Sequence, residues 1–548
     1  MKKSIYLSIG LIVLINLVQA FFTPIADDEA YYWVWSQNLA WGYFDHPPMV
    51  AWWGALGYQL FQNELGFRLL TVLMNGCALW ILYEMLQPQT KNQRNVFWVL
   101  MGSVLVFSMF GWITTPDAPL LFFTVFYLFS LKQFIQKENV LSMVLLSIAL
   151  AGLMYSKYHG ILVIVFTLLP MLWNVWKKPK FYGAVLLSLL LYSPHLYWLL
   201  QHDFVPFQYH FSERSADETF EWNQLLTYFV IYFLGAAPLL SYFILKAMVQ
   251  FKPEDAFQRS VQYLAILPGV FFFLMLFKDK VQPQWLLISF VGMTILVYEF
   301  YKEKEINPWF FRLGWLSVLL VLLVRIGLVL PSVSPFEKNK QFAEELKAFD
   351  LDQVVFEKYQ EASVFMFYNP EKKATTHRTI GNRRSQYSLW NWEDGFQHQT
   401  IQYVSPWVRS DRSFVGGRKN YTYYIKEIPD YLTYHLLEIE TESAMKTGQN
   451  DEVQLKIRIY NGHEHAVNLG EDSLLQLNAT YYQDKQYELL YSPTIKLEDL
   501  TLAAGETKNL IISFRNIDQK GVYKVCIGVN YAPIGTTYLS APIDWISD

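Results

Sequence analysis

The chain has 548 residues, 53% hydrophobic and 18% aromatic, and 17% of them are charged. Charged residues make up about a quarter of an ordinary soluble protein, and the shortfall lies before residue 331, so a membrane part is joined to a water-soluble part. A net charge of -4 gives no basis for nucleic acid or an anionic surface as partner, and the two cysteines, Cys77 in an apolar segment and Cys526 in the distant tail, argue against a disulfide framework.

Met1-Lys2-Lys3 leads into an apolar run ending at Phe22. Val18-Gln19-Ala20 has the form of a signal-peptidase site, but the run is about long enough to cross a bilayer and reads as an uncleaved first span. In all, eleven spans are expected, at about 4–22, 66–86, 96–113, 117–134, 140–156, 159–176, 181–200, 223–246, 260–277, 284–301 and 309–330, each near the ~20 residues a bilayer requires. With the N-terminus in the cytoplasm, the inner loops hold fourteen basic residues and the outer ones five: Arg68, Lys157, Arg214, Lys278 and Lys280. That is the positive-inside pattern, and it puts residues 331–548 outside the cytoplasm.

The chemistry-bearing residues gather at the outer face. The first outer loop, 23–65, opens ADDEAYYWVW and continues GYFDHPPMVAWW. Its aromatic residues suit an interfacial segment, but a belt of rings does not explain Asp27, Asp28 and Glu29 side by side. Asp117 sits between two prolines in TTPDAPLLFF, where capping a helix and catalysis are compatible. YSKYHG supplies Lys157 and His159, and FKDKVQPQW supplies Lys278, Lys280 and Trp285. Lysines beside aromatics at an interface suit a lipid phosphate. Arg325 is the one charge deep in the last span, where an ionisable residue points to function. Carboxylates able to act as a base thus lie with cations able to hold a phosphate, the minimum for displacing a lipid phosphate by an acceptor hydroxyl.

Residues 332–430 read as a small α/β module, with an amphipathic helix at about 338–349, a strand at VVF (354–356) and a second helix through EASVFMFY. Within it GNRRSQYSLW places Arg383 and Arg384 near Tyr387 and Trp390, as an anion contact or a solvated turn. From about 431 the pattern alternates through LLEIE, VQLKIRIY, LLQLNATYY, YELLYSPTIKL, KNLIISF and VYKVCIGVNY, which reads as an immunoglobulin-like β-sandwich. Asn478-Ala479-Thr480 fits a glycosylation sequon but falls in mid-strand. The expected domains are therefore 1–331, 332–430 and 431–548. No nucleotide-phosphate loop is present, which argues against a soluble nucleotide sugar.

DDEAYYW, YFDHPPMVAWW, GFRLL, TPDAPLLFF, YSKYHG and KVQPQW, in this order over about residues 20–330, resemble the GT-C fold glycosyltransferases of the protein O-mannosyltransferase and aminoarabinose (lipid A) transferase superfamily. The resemblance implies a polyprenyl-phosphate-linked sugar as donor, transfer with inversion, and an extracytoplasmic lipid A, glycan or protein acceptor; the pI and the apparent absence of disulfides favour a bacterial inner membrane over an endoplasmic reticulum. It implies Asp28 of the Asp28-Glu29 pair as catalytic carboxylate, with Asp27 leaving a one-residue ambiguity, and Asp117 as the second acidic position. Lys157, Lys280 and Arg68 match basic positions near the donor phosphate; Lys278, Arg325, His46 and Tyr31 complete the expected substrate contacts. No cofactor is required, although Asp28, Glu29, His46 and Asp117 offer donors to a divalent cation. Two rival readings make different demands. A transporter or flippase needs charges near the bilayer midplane, and a scaffold for the sandwich needs neither Asp28 nor Lys280.

Overall fold

The computed structural model describes residues 2–213, 221–278, 280–377, 383–417, 420–446, 452–470, 473–483, 492–495, 497 and 500–547. Arg214, Asp279, Gly381, Asn382 and residues 487–491 of the strand expected at YELLYSPTIKL lie outside them. The chain divides into two compact units, Met1–Lys340 and Gln341–Asp548.

The first unit is built of helices: α1 (Lys2–Phe22), α2 (Asp27–Gln37), α3 (Met49–Tyr58), α4 (Glu64–Leu86), α5 (Lys91–Ser103), α6 (Leu105–Met109), α7 (Asp117–Lys137), α8 (Val140–Ser156), α9 (Gly160–Leu168), α10 (Leu172–Val175), α11 (Pro179–Gln201), α12 (Val205–Gln208), α13 (Trp222–Leu234), α14 (Ser241–Gln250), α15 (Ala256–Met275), α16 (Leu287–Tyr301) and α17 (Pro308–Val329). Every one of the eleven apolar segments is helical, but length separates them. Among the described residues seven helices are long and apolar enough to cross a membrane, or eight if α13 and α14, bent by 88° at their junction, form one span. The rest are shorter: α8, the α9–α10 pair interrupted at Pro170, and α5–α6, broken after Ser103. Proline removes a backbone donor and clashes with the preceding turn, so composition marks the apolar segment while local breaks set its length. The unit is thus a multi-pass membrane bundle.

Capping residues fix where helices begin. The side chains of Asn63, Asn139 and Asp255 accept from the backbone N–H of Gly66, Ser142 and Gln258, and Pro308 starts α17 where a missing N–H is harmless. α16 is the central helix, buried almost throughout, whereas α1, α11 and α17 turn long apolar side chains such as Leu7, Leu186 and Leu323 outward. Gly292 lets α16 approach α15 closely: a Cβ there would lie 2.6 Å from the Ala265 backbone nitrogen.

The second unit starts with α18 (Glu337–Lys347), which crosses the unit boundary, and then β1 (Gln353–Phe356), α19 (Tyr359–Tyr368), β2 (Lys373–Thr376), β3 (Ile401–Ser405), β4 (Ser413–Gly416) and β5 (Tyr421–Ile428). These strands form one sheet in the order β2-β1-β3-β5-β4, parallel at β1–β2 and β1–β3 and antiparallel beyond. Next come β6 (Leu437–Lys446), β7 (Glu452–Asn461), β8 (Val467–Leu469), β9 (Leu475–Tyr482), β10 (Leu500–Leu502), β11 (Thr507–Arg515), β12 (Gly521–Tyr531), β13 (Gly535–Tyr538) and β14 (Ile543–Ser547). They pair antiparallel as β11-β7-β6, as β13-β12-β14 with β9 also on β12, and as β10-β8. Alternating residues such as Leu455 and Ile457 of β7 and Ile527 and Val529 of β12 enter one apolar core, as a sandwich requires. That core also takes in Val355, Ile401 and Tyr403 of the first sheet, so it runs across the expected boundary at 430. Asn478 is buried and donates to the hydroxyls of Thr480, Ser492 and Thr536, so its sequon is closed to modification. Arg383 lies over the Tyr359 ring and donates to its hydroxyl at 2.6 Å. Cys77 is exposed and Cys526 buried, and the two form no disulfide.

Two predictions concern stability. Gly292→Val forces backbone apart and costs about 1–3 kcal/mol, read as a lower unfolding temperature in detergent. Glu357 is buried at the end of β1, and burial raises its carboxyl above the usual range although the hydroxyls of Ser405 and Tyr403 donate to it. The folded chain therefore favours the neutral acid, and stability from this group declines as pH rises from the unfolded value through the raised one. Glu357→Gln should gain on the wild type in unfolding midpoint as pH rises above the ordinary glutamate range, about 4; a pH-independent difference would reject this.

Candidate functional site

The three acidic residues of the first loop form the opening turn of α2, where carboxylates complement the positive end of the helix. Successive helical residues point about 100° apart, so adjacent carboxylates face different surroundings. Asp28 is exposed, Asp27 is half-buried and Glu29 is fully buried. Glu29 Oε1 accepts from Arg68 Nε at 2.9 Å and from the Thr114 N–H at 2.8 Å. Its Oε2 accepts from Arg68 Nη2 at 2.5 Å and from the Ala26 N–H at 3.2 Å.

Arg68, on α4, is also fully buried. Besides Glu29 it donates to the carbonyls of Ala20 at 3.0 Å, Thr23 at 2.5 Å and Pro24 at 3.0 Å, and its guanidinium lies 5.1 Å from the Trp112 ring centre. A guanidinium has five N–H donors, and these contacts engage all five. A contact from Arg68 to a donor phosphate would have to replace one of these. Glu29 likewise has four donors around its carboxylate.

The second pair follows directly in the fold. Thr114, which donates to Glu29, stands three residues before Asp117 at the start of α7. Asp117 Oδ1 accepts from Lys157 Nζ at 2.8 Å, with both side chains buried. Lys157 leaves α8 in an extended conformation, which carries its side chain to the neighbouring helix start. The loop before α7 thus links both acid–base pairs.

His46 lies within 6.1 Å, ring centre to ring centre, of both Tyr32 and His210. His210 Nε2 donates to the Asp45 carbonyl at 2.9 Å, and His195 Nδ1 donates to the Trp41 carbonyl at 2.6 Å. With its proton on Nδ1, His195 accepts from the Tyr158 hydroxyl through Nε2, at 3.3 Å. His195 and His210 escaped the sequence reading, because each stands alone in its segment and only folding gathers them. Tyr31 is a core residue packed on Trp35. Lys278 and Lys280 are exposed, and Lys280 lines a cavity of about 330 Å³ with Tyr228, Gln282 and Leu286. Asp28, Asp117 and Lys157 do not line that cavity. Arg325 is buried and shares a 3.3 Å contact with Gln19 of α1. Glu29 and Asp117 each already hold a cationic side chain, so this face offers a divalent ion fewer open donors than the sequence suggested.

Arg68→Ala would leave Glu29 buried without its counter-charge, which costs about 3–5 kcal/mol. Folded, monodisperse protein should be lost for Arg68→Ala but retained for Asp28→Asn, as size-exclusion chromatography in detergent would show.

A model of the dolichyl-phosphate-mannose-protein mannosyltransferase family matches residues 45–198. Lipid A galacturonosyltransferase RgtD from Rhizobium johnstonii is 24% identical over 290 residues, covering 49% of this chain and 59% of that protein. The chain therefore spans under two thirds of the length of the curated relative it matches. Among solved structures, ArnT from Cupriavidus metallidurans bound to undecaprenyl phosphate superposes with a TM-score of 0.58 at 14% identity, covering 78% of this chain and 98% of ArnT. Its apo form gives 0.55 at 15% identity, over 77% and 98%. The membrane unit thus has the GT-C fold, and the chain resembles the protein mannosyltransferase and lipid A glycosyltransferase superfamily, as its motif order implied.

Proposed function

We propose that this chain is a membrane glycosyltransferase that moves a sugar, a hexose or a pentose, from a polyprenyl phosphate to an acceptor outside the cytoplasm, with inversion. The observation that carries the reading is the contrast within α2: Glu29 is locked to Arg68 while Asp28 beside it faces outward. The first turn of α2 then presents the Asp28 carboxylate at the surface. RgtD is named for lipid A and the ArnT structure holds undecaprenyl phosphate; both support a lipid-linked donor and, foremost among lipid A, glycan and protein acceptors, a lipid.

In this reading the acceptor oxygen attacks the anomeric carbon opposite the phosphate. The bond from that carbon to the phosphate oxygen breaks, and its electron pair leaves with the phosphate. Asp28 takes the acceptor's proton, with half-buried Asp27 as the alternative. Lys157 gives one N–H to Asp117 and has two more for the donor phosphate, while Lys280 and Lys278 meet it at the exposed side. Asp117 positions Lys157. A phosphate leaving group needs no strong general acid, so holding its charge supplies much of the catalysis. Arg68 and Glu29 act as framework. No resident cofactor is needed. The charge bias of the loops supports a cytoplasmic N-terminus and an extracytoplasmic C-terminal unit in a bacterial inner membrane.

Membranes containing wild type or Asp28→Asn, given radiolabelled polyprenyl-phosphate sugars and total lipid and protein acceptors, test this. Label should move with wild type and fall about 100-fold or more with the variant. Equal transfer by a folded Asp28→Asn protein would reject Asp28 and direct attention to Asp27. No transfer by wild type across several donors would reject the activity. Lys157→Ala should raise KM for the donor, and an unchanged KM would remove Lys157 from the phosphate site.

A further inference from the structure

The second unit buries a group of histidines and acids that the transfer reaction leaves unused. Asp394 lies in a short 3-10 turn (Glu393–Phe396) between β2 and β3, His435 lies in the connector between β5 and β6, and His463 lies in the turn between β7 and β8. One ligand atom from each, a carboxylate oxygen and two imidazole nitrogens, lies within 4.8 Å of the others. His435 supplies a second observation. Its side chain is 9% exposed, and neither ring nitrogen has a hydrogen-bond partner. A buried imidazole with both nitrogens unsatisfied is costly unless something binds it. Its Nδ1 sits 3.2 Å from Glu393 Oε2, outside hydrogen-bonding geometry.

We infer that Asp394, His435 and His463 form a binding site for a divalent transition-metal ion of the zinc type. Two imidazoles and a carboxylate are a zinc donor set, and bonds of about 2.0–2.2 Å let one ion bridge these atoms after small side-chain rotations. His435 coordinates through Nε2 when its Nδ1 proton faces Glu393, an arrangement in which an outer carboxylate orients the ligand. Glu393 is itself fixed by the Tyr431 hydroxyl at 2.6 Å. Asp394 Oδ1 accepts from His463 Nδ1 at 2.9 Å and from the Thr433 hydroxyl at 3.2 Å, while Oδ2 has no hydrogen-bond partner among the described residues. His463 Nε2 accepts from the Leu436 N–H at 3.0 Å, so its ring proton is on Nδ1. Coordination through Nδ1 moves that proton to Nε2 and opens the Leu436 contact. Asn461 braces the turn, accepting from the His463 N–H and donating to the carbonyls of His465, Leu502 and Ala503. The ion would clasp three segments distant in sequence, a structural role independent of sugar transfer.

The full-length protein, stripped with a chelator in detergent and titrated with Co²⁺ or Zn²⁺, provides the test. Wild type should take up one ion per chain, show the visible bands of low-symmetry Co²⁺, and unfold at a higher temperature when loaded. His435→Ala and Asp394→Asn should each lose the bands and the thermal gain, with affinity down roughly 100-fold or more. His398→Ala, at a histidine that is 66% exposed, should change neither. Wild type that takes up no ion after stripping overturns the site, as does a folded His435→Ala or Asp394→Asn chain that binds like wild type. Should one variant fail to fold, the other together with the wild-type titration decides. Loss of the ion on His398→Ala would reveal adventitious surface binding and also overturn it.

Discussion

The buried ion pair between Glu29 and Arg68 governs the geometry around it. Two charges withdrawn from water are tolerated when nearly every donor and acceptor is satisfied, and here the pair has four donors on the carboxylate and five acceptor contacts from the guanidinium. Those contacts join the end of α1, the start of α2, the first turns of α4 and the loop before α7. In an apolar bundle such a junction has little freedom to slide, because any shift strands a charge. The neighbouring carboxylate of Asp28 therefore inherits a fixed position from this pair.

The same arrangement recurs at Asp117 and Lys157, where a helix start meets the extended exit of another helix. The two pairs differ in what remains available. Arg68 has no donor left, whereas an ammonium with one N–H engaged has two more. Charge alone does not assign a role; the count of free donors does. A group of rings, His46, His210, Tyr158 and His195, adds a third polar layer, and backbone carbonyls, which can only accept, set the proton positions of His195 and His210.

Outside the bundle the second unit solves a different problem. Its sheets share one apolar core, and the connector that joins them carries buried Tyr431 and Tyr434, with Glu393 and Asn461 buried in neighbouring segments. Polar groups buried this deeply specify a single arrangement only when their partners are present. His435 stands out because neither of its ring nitrogens makes a hydrogen bond, although Glu393 lies 3.2 Å from Nδ1.

Much of this was legible from residue order. Apolar run length, basic-residue bias and strand alternation mark a membrane bundle followed by a strand-rich region, because bilayer and core burial both act on local composition. Motif order marks the acidic turn at Asp27 to Glu29, Asp117 and Lys157. Three adjacent carboxylates look alike as letters, and only helical rotation sends Glu29 inward and Asp28 outward. Arg68 reads as a phosphate ligand until its five donors are traced to Glu29 and three carbonyls. Apolarity gave eleven segments, yet chain breaks near Ser103, Pro170 and Pro238 decided which reach bilayer length. Asp394, His435 and His463 carry no spacing signal, since strands and turns far apart in sequence bring them together. Local chemistry is thus written in the chain, while the use of each charged group depends on long-range contacts, because burial and donor count are properties of the folded surroundings.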